Sequence, residues 1–442
     1  MSTPVYQSYN ARNFRGLPQF QSWPEYALKE IETVARVLPF KTNNYVVDEL
    51  IDWNNIPADP MYTLNFPRRD LLKAAHWGRL AKAVEKGVPE HDLKAIARSV
   101  QEELNPDPSS QSANVPLLHG HRVSGAQHKY RETVLFFPQA GQTCHAYCTF
   151  CFRWPQFSGL SHTRFSGKDS QVLADYLRIH PKVTDLLITG GDPMVMKAQT
   201  LENYLAPFLA EDLEHLKTIR IGTKSLSYWP YRYLSDADSD DVLRLFERIV
   251  KSGRTLSIMA HFNHPVELST EALRKAVKRI QGTGAQIRTQ SPLLRHINDK
   301  PELWAEMWRK QVDLNCIPYY MFVERDTGAK HFFAVPLERC WHIFRRAYRQ
   351  VSGVCRTVRG PVMSTTPGKV QILGVSEIYG EKVFVLRFLQ GRNAAWVDKP
   401  FFAAFDPTAT WLSGLKPAFG DHNFFFEKEL KGILSSHMQP MG

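Results

Sequence analysis

The stretch "VTDLLITGGD" (residues 183–192) has the composition of a buried β-strand that runs directly into a glycine-rich polar ending. Such a short apolar run, bounded by glycine, is typical of a strand inside a parallel sheet. Five other runs share this character: 133–138, 218–223, 255–261, 285–290 and 312–320. Helical runs lie between them, near 168–179, 199–215, 239–252, 270–281 and 301–311. The alternation predicts an α/β fold with a parallel sheet, which we expect to close partly as a TIM-type (β/α)6 barrel.

Polar or otherwise distinctive residues stand at the end of five of these six predicted strands. They are "GGD" (190–192), "RIGTKS" (220–225), "HFNHP" (261–265), "QSP" (290–292) and "PYY" (318–320). Ligands of parallel barrels gather at the carboxyl ends of the strands. Five such endings in one sheet therefore indicate a catalytic barrel.

The regions on either side of the predicted barrel differ from it in character. Residues 1–115 are predicted to be a helical region, and they end in the Pro- and Ser-rich segment "NPDPSSQSANVP" (105–116). The barrel is expected over 116–335. The C-terminal region, 336–442, is predicted to open with a helix at 336–353 and to continue with a hairpin at 369–388.

Composition excludes several classes of protein. The formal net charge is +11, but the basic residues are dispersed, so nucleic-acid binding is disfavoured. No apolar run is long enough to span a membrane, and the first residues lack the apolar core of a signal peptide. We expect a soluble, cytoplasmic protein.

Three of the six cysteines, Cys144, Cys148 and Cys151, follow the first predicted strand with the spacing C-x3-C-x2-C. Zinc sites use four ligands in paired sets, and no second pair is present, although His145 is an adjacent candidate. Three thiolates on one loop suit three irons of a [4Fe–4S] cluster and leave the fourth iron open to a small molecule. The other cysteines (Cys316, Cys340 and Cys355) lie in apolar surroundings and are predicted to be buried structural thiols.

The cysteine spacing and the predicted barrel resemble the radical S-adenosylmethionine (SAM) superfamily. The resemblance implies that SAM binds the open iron and is cleaved to a 5′-deoxyadenosyl radical. It assigns Phe150 to the adenine side and the segment Gly190, Gly191 and Asp192 to the SAM amino group. His261 and Gln290, at the ends of the fourth and fifth strands, match positions near SAM, although a lone histidine is more often structural.

Longer blocks are similar to the lysine 2,3-aminomutase family, in the same order over about residues 115–370. They are "HKYRETVLFF", "LLITGGDPMVM", "RIGTKSLSYWPYR", "HFNHPVELS", "QSPLLRHIND" and "PYYMF". The resemblance implies an isomerase that moves the amino group of an amino acid from C2 to C3 with pyridoxal 5′-phosphate (PLP). It places the PLP lysine at Lys369, in "STTPGKVQI", although PGK is also a common turn sequence.

The chain departs from that family at several positions. Lys129 and Tyr130 stand in the motif that helps to hold the PLP phosphate, but Lys129 replaces an arginine and Thr133 replaces the second one. The glycine run before the lysine is reduced to "PGK". The family's C-terminal zinc cysteines have no counterpart after Cys355, so we expect no zinc.

The resemblance also assigns the substrate contacts. Arg153 matches the arginine that pairs with the substrate α-carboxylate, for which a planar guanidinium is suited. The family grips the lysine ammonium with two aspartates, but these places hold Arg325, with Asp326 beside it, and Val362. Two cations facing each other in a dry site are unfavourable. A substrate other than free lysine, with glutamate or aspartate as candidates, is therefore predicted.

Three alternatives remain open at the level of sequence. The first is a radical SAM enzyme that abstracts hydrogen without PLP, and the second is an aminomutase that acts on a lysine of a protein. The third is a non-enzymatic RNA-binding or iron–sulfur scaffold protein. The leading interpretation implies a small amino acid substrate, a one-electron reductant such as flavodoxin or ferredoxin and, by analogy alone, a homodimer.

Overall fold

A computed structural model describes residues 4–105, 114–159 and 165–438, with the side chains of 436–438 left aside. Its strands are β1 (Ser8–Asn10), β2 (Lys41–Asn43), β3 (Leu117–Leu118), β4 (His121–Arg122), β5 (Ala126–Tyr130), β6 (Thr133–Phe136), β7 (Asp185–Ile188), β8 (Thr218–Thr223), β9 (Thr255–His261), β10 (Gln286–Leu293), β11 (Ile317–Val323), β12 (Arg359–Ser364), β13 (Gly368–Ile378), β14 (Glu381–Gly391) and β15 (Pro400–Ala404). Its helices are α1 (Glu25–Ala35), α2 (Pro60–Asn65), α3 (Ala74–Glu85), α4 (Glu90–Leu104), α5 (Gln171–Arg178), α6 (Ala198–Leu205), α7 (Ser225–Tyr228), α8 (Ser239–Lys251), α9 (Glu271–Gly282), α10 (Pro301–Asp313), α11 (Lys330–Phe333), α12 (Leu337–Tyr348) and α13 (Glu427–Met438). None of the described helices is both long and apolar enough to cross a bilayer.

A single sheet of eleven strands, β5 to β15, organises the molecule. Strands β6 to β12 are parallel and lie side by side in sequence order, with β5 antiparallel at one edge and β13 to β15 antiparallel at the other. Helices connect the successive parallel strands, as right-handed crossovers require. The prediction of a mixed α/β fold with a large parallel sheet is confirmed.

Two details of the predicted sheet were wrong. The sixth predicted strand was placed at 312–320, but α10 continues to Asp313 and the chain turns at Asn315, whose φ is 54°, before β11 begins at Ile317. A seventh parallel strand, β12, was missed, because its sequence "RGPVMS" contains a glycine and a proline that normally argue against a central strand.

The sheet is strongly curved. Eight strands, counted from β5 to β12, would place the first and last about 34 Å apart if the sheet were flat, at ~4.8 Å for each step. Instead, the Nζ atom of Lys129 on β5 donates a hydrogen bond to the carbonyl of Thr365, which follows β12 directly. Residues on the concave face from both ends of the parallel region are therefore neighbours.

Helix α8 illustrates how the sequence builds the outer layer. Four of its buried apolar residues are spaced by three or four positions along one face (Val242, Leu245, Phe246 and Ile249), and its first turn carries two aspartates. These side chains join the main apolar core between the helices and the sheet. The predicted hairpin is also present, and its turn residues Tyr379 and Gly380 have φ values of 51° and 76°, as a tight hairpin turn requires.

The N-terminal residues form a second apolar core. Helices α1 and α3 occur where the spacing predicted them, whereas the β1–β2 ribbon and the π-helical turn at Val46–Leu50 were not predicted. This core also takes in Phe150, Trp154 and Phe333 from the large sheet's loops. The N-terminal region therefore packs directly against the loop that carries the three cysteines. Most of the predicted linker, 106–113, lies outside the described residues.

Candidate active site

The three clustered cysteines lie on the loop that leaves β6. The backbone N–H of Cys151 donates to the carbonyl of Cys148 at 3.0 Å, which makes the loop tight. Burial raises the pKa of the Cys148 thiol to about 12 and that of Cys151 to about 11. In the part of the chain that the structure describes, no three His, Cys, Asp or Glu side chains converge on one point suited to a single metal ion. The donor set, three thiols on one short loop, fits an iron–sulfur cluster, in which thiolates bind separate irons.

Hydrogen bonds from the N-terminal region hold this loop in place. Tyr6 Oη donates to the carbonyl of His145 at 2.7 Å, and Lys41 Nζ donates to the carbonyl of Cys144 at 2.8 Å. Asn43 Nδ2 also donates to the His145 carbonyl, at 3.2 Å. These partners lie about a hundred residues or more away in sequence and bond to the main chain of the loop. Sequence reasoning missed them, since no local pattern marks such contacts.

The "GGD" segment after β7 packs against the cysteine loop. The backbone N–H of Asp192 donates to the carbonyl of Thr143 at 2.7 Å, and a Cβ added at Gly191 would collide with Thr143. Only glycine permits this close approach. The buried Asp192 carboxylate accepts from Thr223 Oγ1 at 2.6 Å and from the N–H of Lys224 at 2.9 Å, so it ties β7 to β8. Gly190 lies beside it, against Gln142.

The structure brings Phe150, His261 and Gln290 together. The rings of Phe150 and His261 meet edge to face with their centroids 5.8 Å apart. His261 and Gln290 are paired neighbours at the carboxyl ends of β9 and β10. Burial lowers the pKa of His261 well below its ordinary value, with the Lys224 charge as a second cause. His261 is therefore a neutral imidazole that can donate or accept one hydrogen bond.

A buried ion pair beside this group was not predicted. Lys224 Nζ lies 2.5 Å from Glu267 Oε1, and the side chains are 10% and 0% exposed. Lys224 Nζ also donates to Asn263 Oδ1 at 2.9 Å and lies 4.3 Å from the ring centroid of Tyr228. The sequence signal was present, as the polar ends of β8 and β9, but their pairing depends on the fold.

Lys369 lies on the concave face of the sheet, at the start of β13. Its Nζ donates to Gln390 Oε1 at 2.7 Å and lies 5.0 and 5.6 Å from the ring centroids of Tyr320 and Tyr130. Burial, followed by the charges of Arg220 and Arg359, lowers the pKa of Lys369 to about 7. A lysine in this state is a neutral nucleophile near neutral pH, as a carbonyl-binding lysine must be.

Two further cations lie at the loop that precedes Lys369. Lys129 Nζ bonds to the carbonyl of Thr365, and Arg392 Nε bonds to the carbonyl of Thr366 at 2.9 Å. Burial lowers the pKa of Lys129 well below its ordinary value, and Arg392 is the first of the charges that contribute. Within the described residues neither cation forms an ion pair with a carboxylate. Their arrangement fits a bound anion such as a phosphate. Arg392 was not predicted, because it belongs to a segment without a recognisable pattern.

Arg153 is buried two residues after the last cysteine of the cluster. Its guanidinium stacks on Phe137, 4.0 Å from the ring centroid, and donates to Gln156 Oε1 at 2.9 Å. Its Nε has no hydrogen-bond partner among the described residues, and burial lowers its pKa to about 10. No carboxylate of the described chain pairs with it, so an incoming carboxylate would complete its hydrogen bonding.

Arg325 lies near the cysteine loop, and its charge acts on a residue of the lysine site. Its guanidinium lies 5.2 Å from the ring centroid of Phe152, which follows Cys151, and 5.7 Å from that of Trp411. Its charge also contributes to the lowered pKa of Lys129. Glu324, which precedes it, is buried, and burial raises its pKa well above the ordinary value. Val362, at the position where the family carries its second ammonium-binding aspartate, is fully buried.

Curated proteins with similar sequences point to one family. No protein-family model matches the chain. A protein of Aquifex aeolicus (strain VF5) named "Putative L-lysine 2,3-aminomutase" is 32% identical over 392 residues, which is 88% of this chain and 91% of that protein. The "L-lysine 2,3-aminomutase" of Escherichia coli (strain K12) is 27% identical over 308 residues, 69% of this chain and 85% of that protein. Among solved structures, Streptococcus suis SuiB bound to S-adenosylmethionine matches at 12% identity and a TM-score of 0.32, over 57% of this chain and 51% of that one, too low to inform on this fold.

Proposed function

The chain belongs to the radical SAM lysine 2,3-aminomutase family, and from that premise we propose that it moves the amino group of a free amino acid from C2 to C3 with PLP. The observation that carries the proposal is Lys369, a half-buried lysine with a pKa of about 7 that lies beside two tyrosines and near Lys129 and Arg392. The curvature of the sheet and its seven sequential parallel strands support a partial (β/α) barrel around this site.

The residues of the site form two ends, one at the cysteine loop and the other around Lys369. At the cysteine end, Cys144, Cys148 and Cys151 would hold a [4Fe–4S] cluster, and Phe150 and His261 would border SAM. At the other end, Lys369 would carry PLP, and Lys129 with Arg392 would hold its phosphate. When bound, the cluster with SAM supplies a 5′-deoxyadenosyl radical, and PLP supplies a carbonyl and an extended π-system for the migrating nitrogen.

Side chains of the protein orient the substrate between these ends. Arg153 would receive the α-carboxylate, because its guanidinium is buried without an anionic partner and lies next to the cysteine loop. Arg325 would face the far end of the substrate. An ammonium there would add a positive charge near Arg325, and burial disfavours the charged form of Glu324 by raising its pKa, so that carboxyl is poorly suited to balance the charge. An acidic amino acid is therefore the proposed substrate, with a one-electron reductant such as flavodoxin or ferredoxin as partner.

Borohydride trapping tests the proposal. The protein is purified anaerobically with PLP, reduced with borohydride and digested, and the peptides are examined for a phosphopyridoxyl group by mass spectrometry. Modification at Lys369, together with formation of the 3-amino isomer from glutamate in preference to that from lysine, would support the proposed function. An unmodified Lys369 in a protein that still cleaves SAM would indicate a radical enzyme that works without PLP.

The capture of PLP by Lys369 is expected to depend on pH with a midpoint near 7. The amine reacts only when neutral, and its lowered pKa of about 7 makes it neutral above that pH. The initial rate of trapped adduct should therefore rise between about pH 6 and 8 and then level off, well below the ordinary lysine pKa of about 10.4. A rate that still climbs above pH 9 would contradict this assignment.

Replacing Arg392 with glutamine is expected to weaken PLP binding about tenfold to a hundredfold, the usual cost of about 1.5–3 kcal/mol for losing a hydrogen bond to a charged group. Titration with PLP and with pyridoxal, which lacks the phosphate, separates the cause. The Arg392→Gln protein should bind pyridoxal as the wild type does. Arg387→Gln is the matched control, because Arg387 lies on β14, the strand that Arg392 directly follows, and pairs with Asp398 instead. Equal losses for both aldehydes would show that Arg392 does not act through the phosphate.

A further inference from the structure

We infer that Tyr228 donates a hydrogen bond to the thiolate of Cys148 and thereby raises the reduction potential of the iron–sulfur cluster. This inference rests on the cluster part of the proposed function. It makes Tyr228 a positioning residue that acts through a cluster ligand. None of the blocks that identified the family assigns this tyrosine a role.

The burial of Tyr228 and the hydrogen bonds of Asn43 keep the side chains of Tyr228 and Cys148 in contact. Tyr228 Oη lies 3.6 Å from Cys148 Sγ, within the range of a hydrogen bond to sulfur. Tyr228 is only 1% exposed and stands at the end of α7, the short helix that follows β8. Asn43 Nδ2 donates to the carbonyl of Tyr228 at 2.9 Å and to that of His145 at 3.2 Å. One side chain thus fixes the tyrosine relative to the cysteine loop.

In these surroundings the hydroxyl hydrogen of Tyr228 is available to bond to the sulfur of Cys148. By geometry, the Tyr228 hydroxyl has one hydrogen-bond partner among the described residues, Cys148 Sγ. A buried phenol is neutral at ordinary pH, and its O–H must find a partner. A cysteine bound to iron is a thiolate, which has no proton to give and accepts hydrogen bonds. In the loaded protein Tyr228 is therefore the donor and Cys148 the acceptor.

Lys224 strengthens this donor. Its ammonium lies 4.3 Å from the centroid of the Tyr228 ring, where a positive charge draws electron density from the aromatic system. The short ion pair with Glu267 and the bond to Asn263 keep the ammonium in that place. The electron-poor phenol is a better hydrogen-bond donor than an isolated tyrosine.

Hydrogen bonds to the sulfurs of a cluster are one of the ways in which a protein sets its potential. Reduction adds negative charge to the cluster, and a donor aimed at a ligand sulfur stabilises that charge. Tyr228 would thus ease the one-electron reduction that must precede SAM cleavage. Of the other tyrosines near the loop, Tyr147 pairs its hydroxyl with Thr143 Oγ1 at 3.1 Å, so its O–H has a different partner.

The test is an anaerobic redox titration of the reconstituted cluster, in which electron paramagnetic resonance measures the reduced cluster at each potential. Tyr228→Phe is expected to show an about tenfold lower ratio of reduced to oxidised cluster than the wild type at the same applied potential, which corresponds to a downward shift of about 59 mV for a one-electron couple. Tyr233→Phe is the matched control, because Tyr233 is buried nearby and its hydroxyl bonds to Ser225 Oγ at 2.7 Å. Its potential should equal that of the wild type.

A second variant keeps the shape of the side chain. Difluorotyrosine at position 228 is a more acidic phenol, hence a stronger donor, and should shift the potential upward. Unchanged potentials in both Tyr228 variants, at wild-type iron content, would overturn the inference, as would a Tyr233→Phe shift of the same size. If the Tyr228→Phe protein takes up no cluster, the potential of the difluorotyrosine protein alone decides whether the inference holds. A wild-type protein that takes up no cluster would instead overturn the cluster assignment, and the inference with it.

Discussion

Lys369→Ala is expected to abolish amino-group migration, by about 10³-fold or more, while SAM cleavage remains measurable. Removing a side chain that forms a covalent bond in catalysis causes losses of at least this order. Lys369 lies on β13, whereas the cysteines lie on the loop after β6, so the substitution leaves the cysteine loop and its N-terminal supports untouched. The two activities are therefore expected to separate in this variant.

The measurement pairs two products in one assay: 5′-deoxyadenosine reports SAM cleavage, and the β-amino acid reports migration. Lys382→Ala is the matched control, because Lys382 is an exposed lysine of the next strand that pairs with Glu338. The control should retain both products and the PLP adduct. Migration that persists in Lys369→Ala would mean that another lysine, or none, carries PLP.

Cys151→Ala is expected to remove both activities together. Without one of its three thiolates the cluster has too few protein ligands to assemble, and SAM then has no electron source. Iron and sulfide analysis should show a nearly complete loss, and no 5′-deoxyadenosine should form. The pattern differs from that of Lys369→Ala, in which cleavage survives. The two variants thus identify the two ends of the site independently.

Cys316→Ala is the control for this second prediction. Cys316 is buried before β11 and shares with Cys151 only the residue type, so its removal should leave the iron content unchanged. A Cys151→Ala protein that keeps its iron would show that the cluster uses another ligand. His145 would then be the first residue to examine, since it lies next to Cys144 and burial lowers its pKa to about 3.

Local patterns in the sequence were sufficient to predict most of the parallel strands and the cysteine end of the site. The strand runs and their polar endings led directly to β6 to β11, because buried parallel strands have a distinctive composition. The cysteine spacing is likewise local. The grouping of Phe150, His261 and Gln290 then follows, since the carboxyl ends of neighbouring parallel strands share one edge.

The other residues of the site depend on contacts between distant parts of the chain. Arg392 meets Lys129 only because the curved sheet brings β14 near β5, and no periodicity encodes that curvature. Tyr228 lies within a short helix whose sequence does not point to sulfur. The end of β11 shows the same limit, since the sequence drew attention to Arg325 whereas the buried side chain of Glu324 precedes it. Which of two adjacent residues stands at a position of the site can be decided only from the folded structure.

The hydrogen bonds from Tyr6, Lys41 and Asn43 to the cysteine loop have a consequence for the order in which the protein is made. A ribosome releases these residues about a hundred positions before the loop, and domains tend to fold from the N-terminus during synthesis. The supports can therefore be in place when the three thiols emerge. The nascent loop would meet a surface that already matches its main chain, which limits the time its cysteines are exposed to oxidation before iron arrives.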